Sequence, residues 1–279
     1  MPTAEPVASP WGSHRPGVGA AAVIAVSRHS WLGRGAMRKR LFRLLTRLHT
    51  GPVDTWLWGQ RVRLFPDRNV SERKALLRPD RLDQAEYAFV RRQLARPRPV
   101  FVDVGANAGL YSLYAALTAA AGARILAIEP DPDLLARLRF NLELARTAGG
   151  PAPGLEVALA AVAVGDRDGE GRLATDGDEG SRSLTDGGGR PVPLRRMATL
   201  LEEHGIGRVT LMKIDVEGYE DRVLPPYLAE VSEERWPQAI IIEHVHRQSW
   251  TVDCLALCQS RGYRVCAVTN NNTLLERAH

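Results

Sequence analysis

The chain has 279 residues, 44% of them hydrophobic and 25% charged. That is the composition of an ordinary globular protein, with enough length for one α/β domain and an extension, and it excludes a wholly disordered chain. The net charge of +5 conceals an asymmetry: residues 1–98 hold 19 Lys/Arg against 7 Asp/Glu, and the remainder holds 18 against 25. The basic excess belongs to the leader, where it suits an acidic partner or simple solvation.

Residues 1–36 are rich in Pro, Gly, Ala and Ser without a sustained period, and read as a disordered N-terminal extension. Their apolar run at 17–26 is too short to span a bilayer. Residues 37–98 read as a basic amphipathic helix and an N-terminal cap. In MRKRLFRLLTRL, Leu41, Leu44, Leu45 and Leu48 recur at i, i+3, i+4 and i+7 with arginines between them. The leucine stripe is expected to pack on the main domain, with weak membrane-surface contact through residues 37–48 as its other use. Residues 56–65 suggest a small hairpin and 83–94 a helix.

From residue 99 to 279 strands and helices alternate, which predicts a mostly parallel sheet with helices on both faces. The strands are expected at 100–104, 124–128, 155–164, 210–215 and 239–243. Helices are expected at 110–121, 131–146, 198–204, 218–227 and 252–261, and a closing antiparallel hairpin at 264–276. Asp131 is the N-cap of its helix, with Pro132 in the first turn. The glycine-rich, polar stretch 175–190 reads as a mobile loop or lid. Cys254, Cys258 and Cys266, an odd count on core-like segments, point to buried reduced thiols and a cytoplasmic setting rather than a disulfide framework. A zinc site of Cys254, Cys258 and His244 is the lesser reading against a buried apolar stripe.

Three stretches carry chemistry. The first, FVDVGANAGLYS at 101–112, is a strand running through a glycine turn into a helix start, where Gly105 and Gly109 allow close backbone approach to a ligand. Asn107 and Leu110 stand where the dinucleotide fingerprint needs glycine, and no P-loop lysine follows. The second is Glu129, 24 residues after Gly105, at the end of the second strand. A carboxylate there can accept from both ribose hydroxyls of an adenosine cofactor. The third is LMKIDVEG at 211–218, where Lys213, Asp215 and Glu217 alternate onto one side. Three charges do not sit side by side in a sheet interior, so they belong at its carboxyl end. Lys213 is also the sole lysine after residue 98, against a background of arginines.

Together, the DVGANAG turn, Ile128-Glu129-Pro130 and KIDVEG resemble the FkbM family of S-adenosylmethionine-dependent methyltransferases, from about residue 86 to 243. Ala163-Val-Gly-Asp166 and Ser181-Arg-Ser183 resemble the family as well. The resemblance implies a Rossmann-like class I methyltransferase fold, a seven-stranded, mostly parallel sheet closed by an antiparallel hairpin. It implies S-adenosyl-L-methionine as cofactor and O-methylation of a hydroxyl on a sugar, glycan or secondary metabolite. It assigns the methionyl end to Asp103, Gly105, Ala106, Asn107 and Gly109, the ribose to Glu129 beside Pro130, and the adenine side to Val164, Gly165 and Asp166. The catalytic pocket is expected from Asp215 as base, Lys213, Glu217, Glu243 and either His246 or His244. A divalent metal among Asp215, Glu243 and a histidine is the lesser reading for an O-methyltransferase; no metal-specific spacing supports it, so no metal is expected. Trp56, Trp58 and Tyr87 suit an acceptor wall or an anchor for the leader. The expected partner is a small-molecule or glycan acceptor, not nucleic acid. An RNA methyltransferase using the basic N-terminal region and a non-catalytic cofactor-binding module are the alternatives.

Overall fold

In a computed structural model, residues 5–30, 35–175, 177–185 and 187–278 are described. The N-terminal part comprises α1 (Glu5–Ala8), α2 (Val18–His29), α3 (Gly35–Leu48), the hairpin β1 (Val53–Leu57) and β2 (Gln60–Leu64), α4 (Val70–Leu77) and α5 (Gln84–Gln93). The hairpin turns through Trp58 and Gly59, both left-handed, which matches the twist of paired strands. The leader is not the disordered extension its composition suggests over residues 5–30. Its alanine-rich run is a good helix former, and α2 buries Ala20, Val23 and Ile24 in one cluster with Leu45, Val62 and Leu76. Before it, Trp11 Nε1 donates to the Val62 carbonyl, and the buried Arg63–Asp54 ion pair takes hydrogen bonds from and to residues 9–14. The basic helix α3 docks through Leu45, leaving Leu44 and Leu48 exposed.

The chain continues with β3 (Val100–Val104), α6 (Leu110–Thr118), β4 (Arg124–Ile128), α7 (Pro132–Thr147), β5 (Glu156–Ala160), β6 (Ala163–Gly165), β7 (Gly169–Leu173), β8 (Arg190–Arg196), α8 (Met197–Glu203), β9 (Leu211–Ile214), α9 (Leu224–Glu230), β10 (Ala239–Glu243), α10 (Cys254–Ser260), β11 (Tyr263–Val268) and β12 (Asn272–Arg277). The main sheet has the order β11–β12–β10–β9–β3–β4–β5, with β12 antiparallel to both neighbours and the other pairings parallel. Strand alternation sends Val102, Met212 and Ile240 to the face covered by α8, α9 and α10, and Phe101, Leu211 and Ile241 to the face covered by α5 and α6. Asp131 caps α7 by accepting from Asp133 N, as its position foretells.

Two element boundaries and the burial of one cysteine differ from the sequence reading. The third strand breaks after Ala160: β5 stays at the sheet edge, while β6 leaves to pair with β8 in a separate three-stranded sheet with β7. The helix expected at 218–227 divides into a short 3₁₀ turn and α9, because Pro225 and Pro226 lack the amide hydrogens that would continue a helix and instead suit the first turn of a new one. Cys254 and Cys258 are buried on α10, but Cys266 is exposed. Among the described residues, no helix is long and apolar enough to cross a membrane.

Candidate active site

The strand order reverses between β3 and β9, and a cleft opens beyond the carboxyl ends of the strands at that switch point. One wall is the turn after β3. Gly105 is left-handed, and a Cβ there would stand 1.8 Å from the carbonyl oxygen of Asp215, so only glycine lets the two backbones pass. The turn continues through left-handed Asn107, whose backbone amide donates to Glu129 Oε2 (2.8 Å). The amide of Asp131 donates to Glu129 Oε1 (3.0 Å). Burial outweighs these two bonds and pushes the Glu129 carboxyl up to about 7. With Val162, Val164, Leu134, Leu173 and Tyr219, these groups line a solvent-open arm with about 610 Å³ of empty space.

The stretch 178–184 roofs this arm. The amide of Val70 donates to Asp178, the amide of Glu179 to the Arg68 carbonyl, and the Glu179 carboxylate pairs with Arg137. Arg182 reaches Asp131 at 2.7 Å. Asn69 Nδ2 donates to Asn107 Oδ1, and Asn107 Nδ2 donates to the Gly180 carbonyl. Within the stretch 175–190 read as a mobile loop or lid, residues 178–182 have partners on three sides: Asp178 at α4, Glu179 and Arg182 at α7, and the Gly180 carbonyl at the β3 turn.

A second arm, of about 1100 Å³, shares Gly105, Asn107, Gly180, Asp215 and Glu217 with the first. Lys213 lies in its floor, 2.9 Å from Asp215 Oδ2, 3.8 Å from Asp103 Oδ1 and 4.9 Å from the centre of the Tyr111 ring. Burial opposes its charge, but Asp215 and Asp103 outweigh it and hold the ammonium above its ordinary range. Glu243 ends β10 buried. Glu217 adopts left-handed backbone in the turn after β9, and His246 Nε2 is 3.5 Å from its Oε2. Glu220 clamps that turn, accepting from the amides of Val216 and Gly218 and from Trp250 Nε1. Burial and the neighbouring carboxylates raise both Glu217 and Glu243.

The structure brings most of the expected residues to these two arms: Gly105, Ala106, Asn107, Glu129, Pro130 and Val164 with Lys213, Asp215, Glu217, Glu243 and His246. Others lie elsewhere. Asp103, assigned to the cofactor, is fully buried beneath the floor, where Ser112 Oγ donates to it and it faces Lys213 across the β3–β9 register. Gly109 packs its backbone on Leu138, where a Cβ would clash at 2.1 Å. Gly165 faces Leu194, and Asp166 pairs with Arg222 outside the cleft, because the chain has by then turned into the small sheet. His244 is tied to Thr273 Oγ1 at 2.9 Å, which leaves His246 as the histidine of the cleft. Tyr87 lines the second arm, Trp58 meets its ring edge-to-face, and Trp56 is exposed against Trp11. The sequence reading missed Asn69, Lys74, Tyr111 and Asn272. Tyr111, at the end of the glycine motif, stacks on Tyr87 and was the one with a readable signal.

A doubly wound sheet with a D-x-G turn after β3, an acid ending β4 and one antiparallel strand near its far edge defines the class I methyltransferase arrangement. The family described as "Methyltransferase FkbM domain" matches residues 103–265, and the chain belongs to that family: it is an S-adenosylmethionine-dependent methyltransferase. It is 29% identical over 208 residues to the 31-O-demethyl-FK506 methyltransferase FkbM of Streptomyces tacrolimicus, covering 62% of this chain and 75% of that one. Among solved structures, similar ones include a methyltransferase from Geobacter sulfurreducens (15% identity, TM-score 0.41, 71% of this chain and 78% of that one). A putative O-methyltransferase from Klebsiella pneumoniae is comparable (15% identity, TM-score 0.41, 70% and 79%).

Proposed function

We propose that the first arm holds S-adenosyl-L-methionine and that the second presents a hydroxyl of a sugar or secondary metabolite for O-methylation. The observation that carries the acceptor class is a pair of buried polar atoms in the second arm, Tyr87 Oη and Asn272 Oδ1, that have no hydrogen-bond partner among the described residues. Buried polar atoms are rarely left unpaired, and an acceptor bearing several hydroxyls satisfies both. The relative from Streptomyces tacrolimicus, by its name an O-methyltransferase of a natural product, supports the same class.

The residues of the first arm fit the cofactor. The glycine turn leaves the backbone bare where a Cβ would close the space, Glu129 offers carboxylate lone pairs for ribose hydroxyls, and Val162, Val164 and Leu134 form an apolar slot for a purine. S-adenosylmethionine supplies, when bound, an electrophilic methyl carbon with a neutral thioether leaving group. Asp215 stands where the two arms meet and accepts the proton of the acceptor hydroxyl as that oxygen becomes the nucleophile. Lys213 orients Asp215 through its 2.9 Å contact, and Asp103 with Ser112 fixes Lys213 in turn. Alignment of acceptor and methyl in a closed cleft supplies the rest of the rate.

Asp215→Asn tests this assignment. Loss of a general base lowers kcat by ~10²–10⁴-fold while cofactor affinity stays unchanged, measured by methyl transfer to a panel of hydroxylated acceptors and by calorimetry. Undiminished turnover by Asp215→Asn would rule out the carboxylate as base. A wild-type protein that transfers methyl only to amines would rule out the O-methylation reading.

A further inference from the structure

One cluster in the second arm remains without a use. Glu243 is 8% exposed, its Oε2 has no hydrogen-bond partner among the described residues, and it lines the cavity. One carboxylate oxygen each from Glu243 and Glu217 and one imidazole nitrogen of His246 all lie within 4.8 Å of one another. The local charge is lopsided. Asp215, Glu217, Glu220 and Glu243 meet around the turn after β9, and the buried cation there, Lys213, is already committed to Asp215 and Asp103. A buried carboxylate oxygen left bare costs free energy, and a bound cation removes that cost for all three groups at once.

We infer that Glu217, Glu243 and His246 form a divalent-cation site in the wall of the acceptor arm. Two carboxylate oxygens with one imidazole suit a first-row ion such as Mn²⁺ better than a soft thiolate metal or an all-oxygen calcium cage. Three protein ligands on one side leave the remaining coordination positions open toward the cavity. An acceptor oxygen bound there is acidified before its proton passes to Asp215, the service a Lewis acid gives a poor nucleophile. The site spans two elements, the β9 turn and the end of β10 with its following residues, which explains why no ligand spacing is visible in the sequence.

This inference rests on the methyltransferase reading, and its test separates the two. Metal-free protein is titrated with Mn²⁺ by calorimetry and electron paramagnetic resonance, alone and with S-adenosylmethionine present. One Mn²⁺ per chain is expected, and binding weakened at least tenfold in Glu243→Gln. His246→Ala, a change at an exposed residue that the fold does not need, is expected to weaken it as well, while cofactor affinity is retained in both. Full methyl transfer in excess chelator, or Mn²⁺ binding equal in wild type and both variants, overturns the metal site while leaving the methyltransferase reading intact. Failure of S-adenosylmethionine to bind the metal-free wild type would instead overturn the methyltransferase reading itself.

Discussion

The two arms of the cleft are built in opposite ways. The first arm, proposed for the cofactor, is built largely from short contiguous stretches, namely the Gly105–Asn107 turn after β3, Ile128–Pro130 at the end of β4, Val162–Val164 after β5 and the roof at 179–184. The acceptor arm is mostly side chains gathered from distant parts of the chain, with Ser71, Lys74 and Tyr87 from the N-terminal cap, Lys213 and Glu217 from the centre, and Glu243, His246 and Asn272 from the end. A ligand common to every reaction can be held by a local motif. One that differs between enzymes is held by residues free to vary independently. The comparison predicts that substitutions in the first arm act on cofactor affinity alone, except where the arms share a residue.

Gly105 is one of five residues the arms share, with Asn107, Gly180, Asp215 and Glu217, and Gly105→Ala is expected to have the largest effect. The new methyl group would meet the Asp215 carbonyl oxygen, and the left-handed backbone adds strain for any residue with a Cβ. Either the β3 turn or the β9 turn must move, so cofactor binding and turnover are both lost. Calorimetry with S-adenosylmethionine and near-ultraviolet circular dichroism, which reports whether the fold survives, would check this. Retention of wild-type affinity would show that the two arms are not joined at this contact.

Glu129 separates the arms. Its replacement by Gln removes an ionised acceptor for the ribose and is expected to weaken cofactor affinity by roughly tenfold to a hundredfold, at about 1.5–3 kcal/mol for hydrogen bonds to a charged group, without altering acceptor KM. The carboxyl titrates at about 7 in the free protein because of its burial, and hydrogen bonds donated by hydroxyls favour the ionised form. Affinity therefore falls as pH drops, by about tenfold between pH 8 and pH 6, with a proton released on binding. Glu129→Gln flattens that profile. Fold stability runs the other way: the unfolded chain loses this proton near 4.5 and the folded chain near 7, so the carboxyl's contribution to stability is lost as pH rises through that window. Thermal unfolding of the two proteins at pH 5 and pH 8 checks the sign.

What could be read from the sequence follows the same division. The β3 turn, Glu129 and the KIDVEG stretch were legible because each is contiguous and each breaks a strand pattern with glycine or charge. The roles within KIDVEG were less so. Asp103 and Lys213 face each other only once β3 and β9 are in register, which no local pattern encodes. The choice of His246 over His244 depends on Thr273, on a strand that arrives 29 residues later. β7 and β8 escaped notice because GEGRL is glycine-rich and mostly exposed, and RPVPLRR carries two prolines, which argue against a strand even though Val192 and Leu194 alternate inward. Helix α2 was hidden by the Gly and Pro around it, and by a narrow buried face of Ala20, Val23, Ile24 and Ser27 beside α3 and α4.

The smallest effect should come from the roof, and it decides how far the N-terminal cap takes part in cofactor retention. Arg137 on α7 is buried between Glu72 of α4 and Glu179 of the roof. Burial lifts the Glu72 carboxyl to about 7 even beside that arginine. Glu179 is the more exposed partner, so removing it leaves Arg137 paired with Glu72 and creates no unpaired buried charge. Glu179→Ala therefore costs about 1 kcal/mol, the net worth of a typical hydrogen bond for this partly exposed pair, and the fold tolerates it. If the roof holds the cofactor in place, dissociation of S-adenosylmethionine measured by stopped flow accelerates by about fivefold while its association rate is unchanged, since the loss appears as the bound state opens. An equal change in both rates would mean that the roof merely gates entry, and the ties from α4 through Asn69 and Val70 would then position the acceptor arm alone.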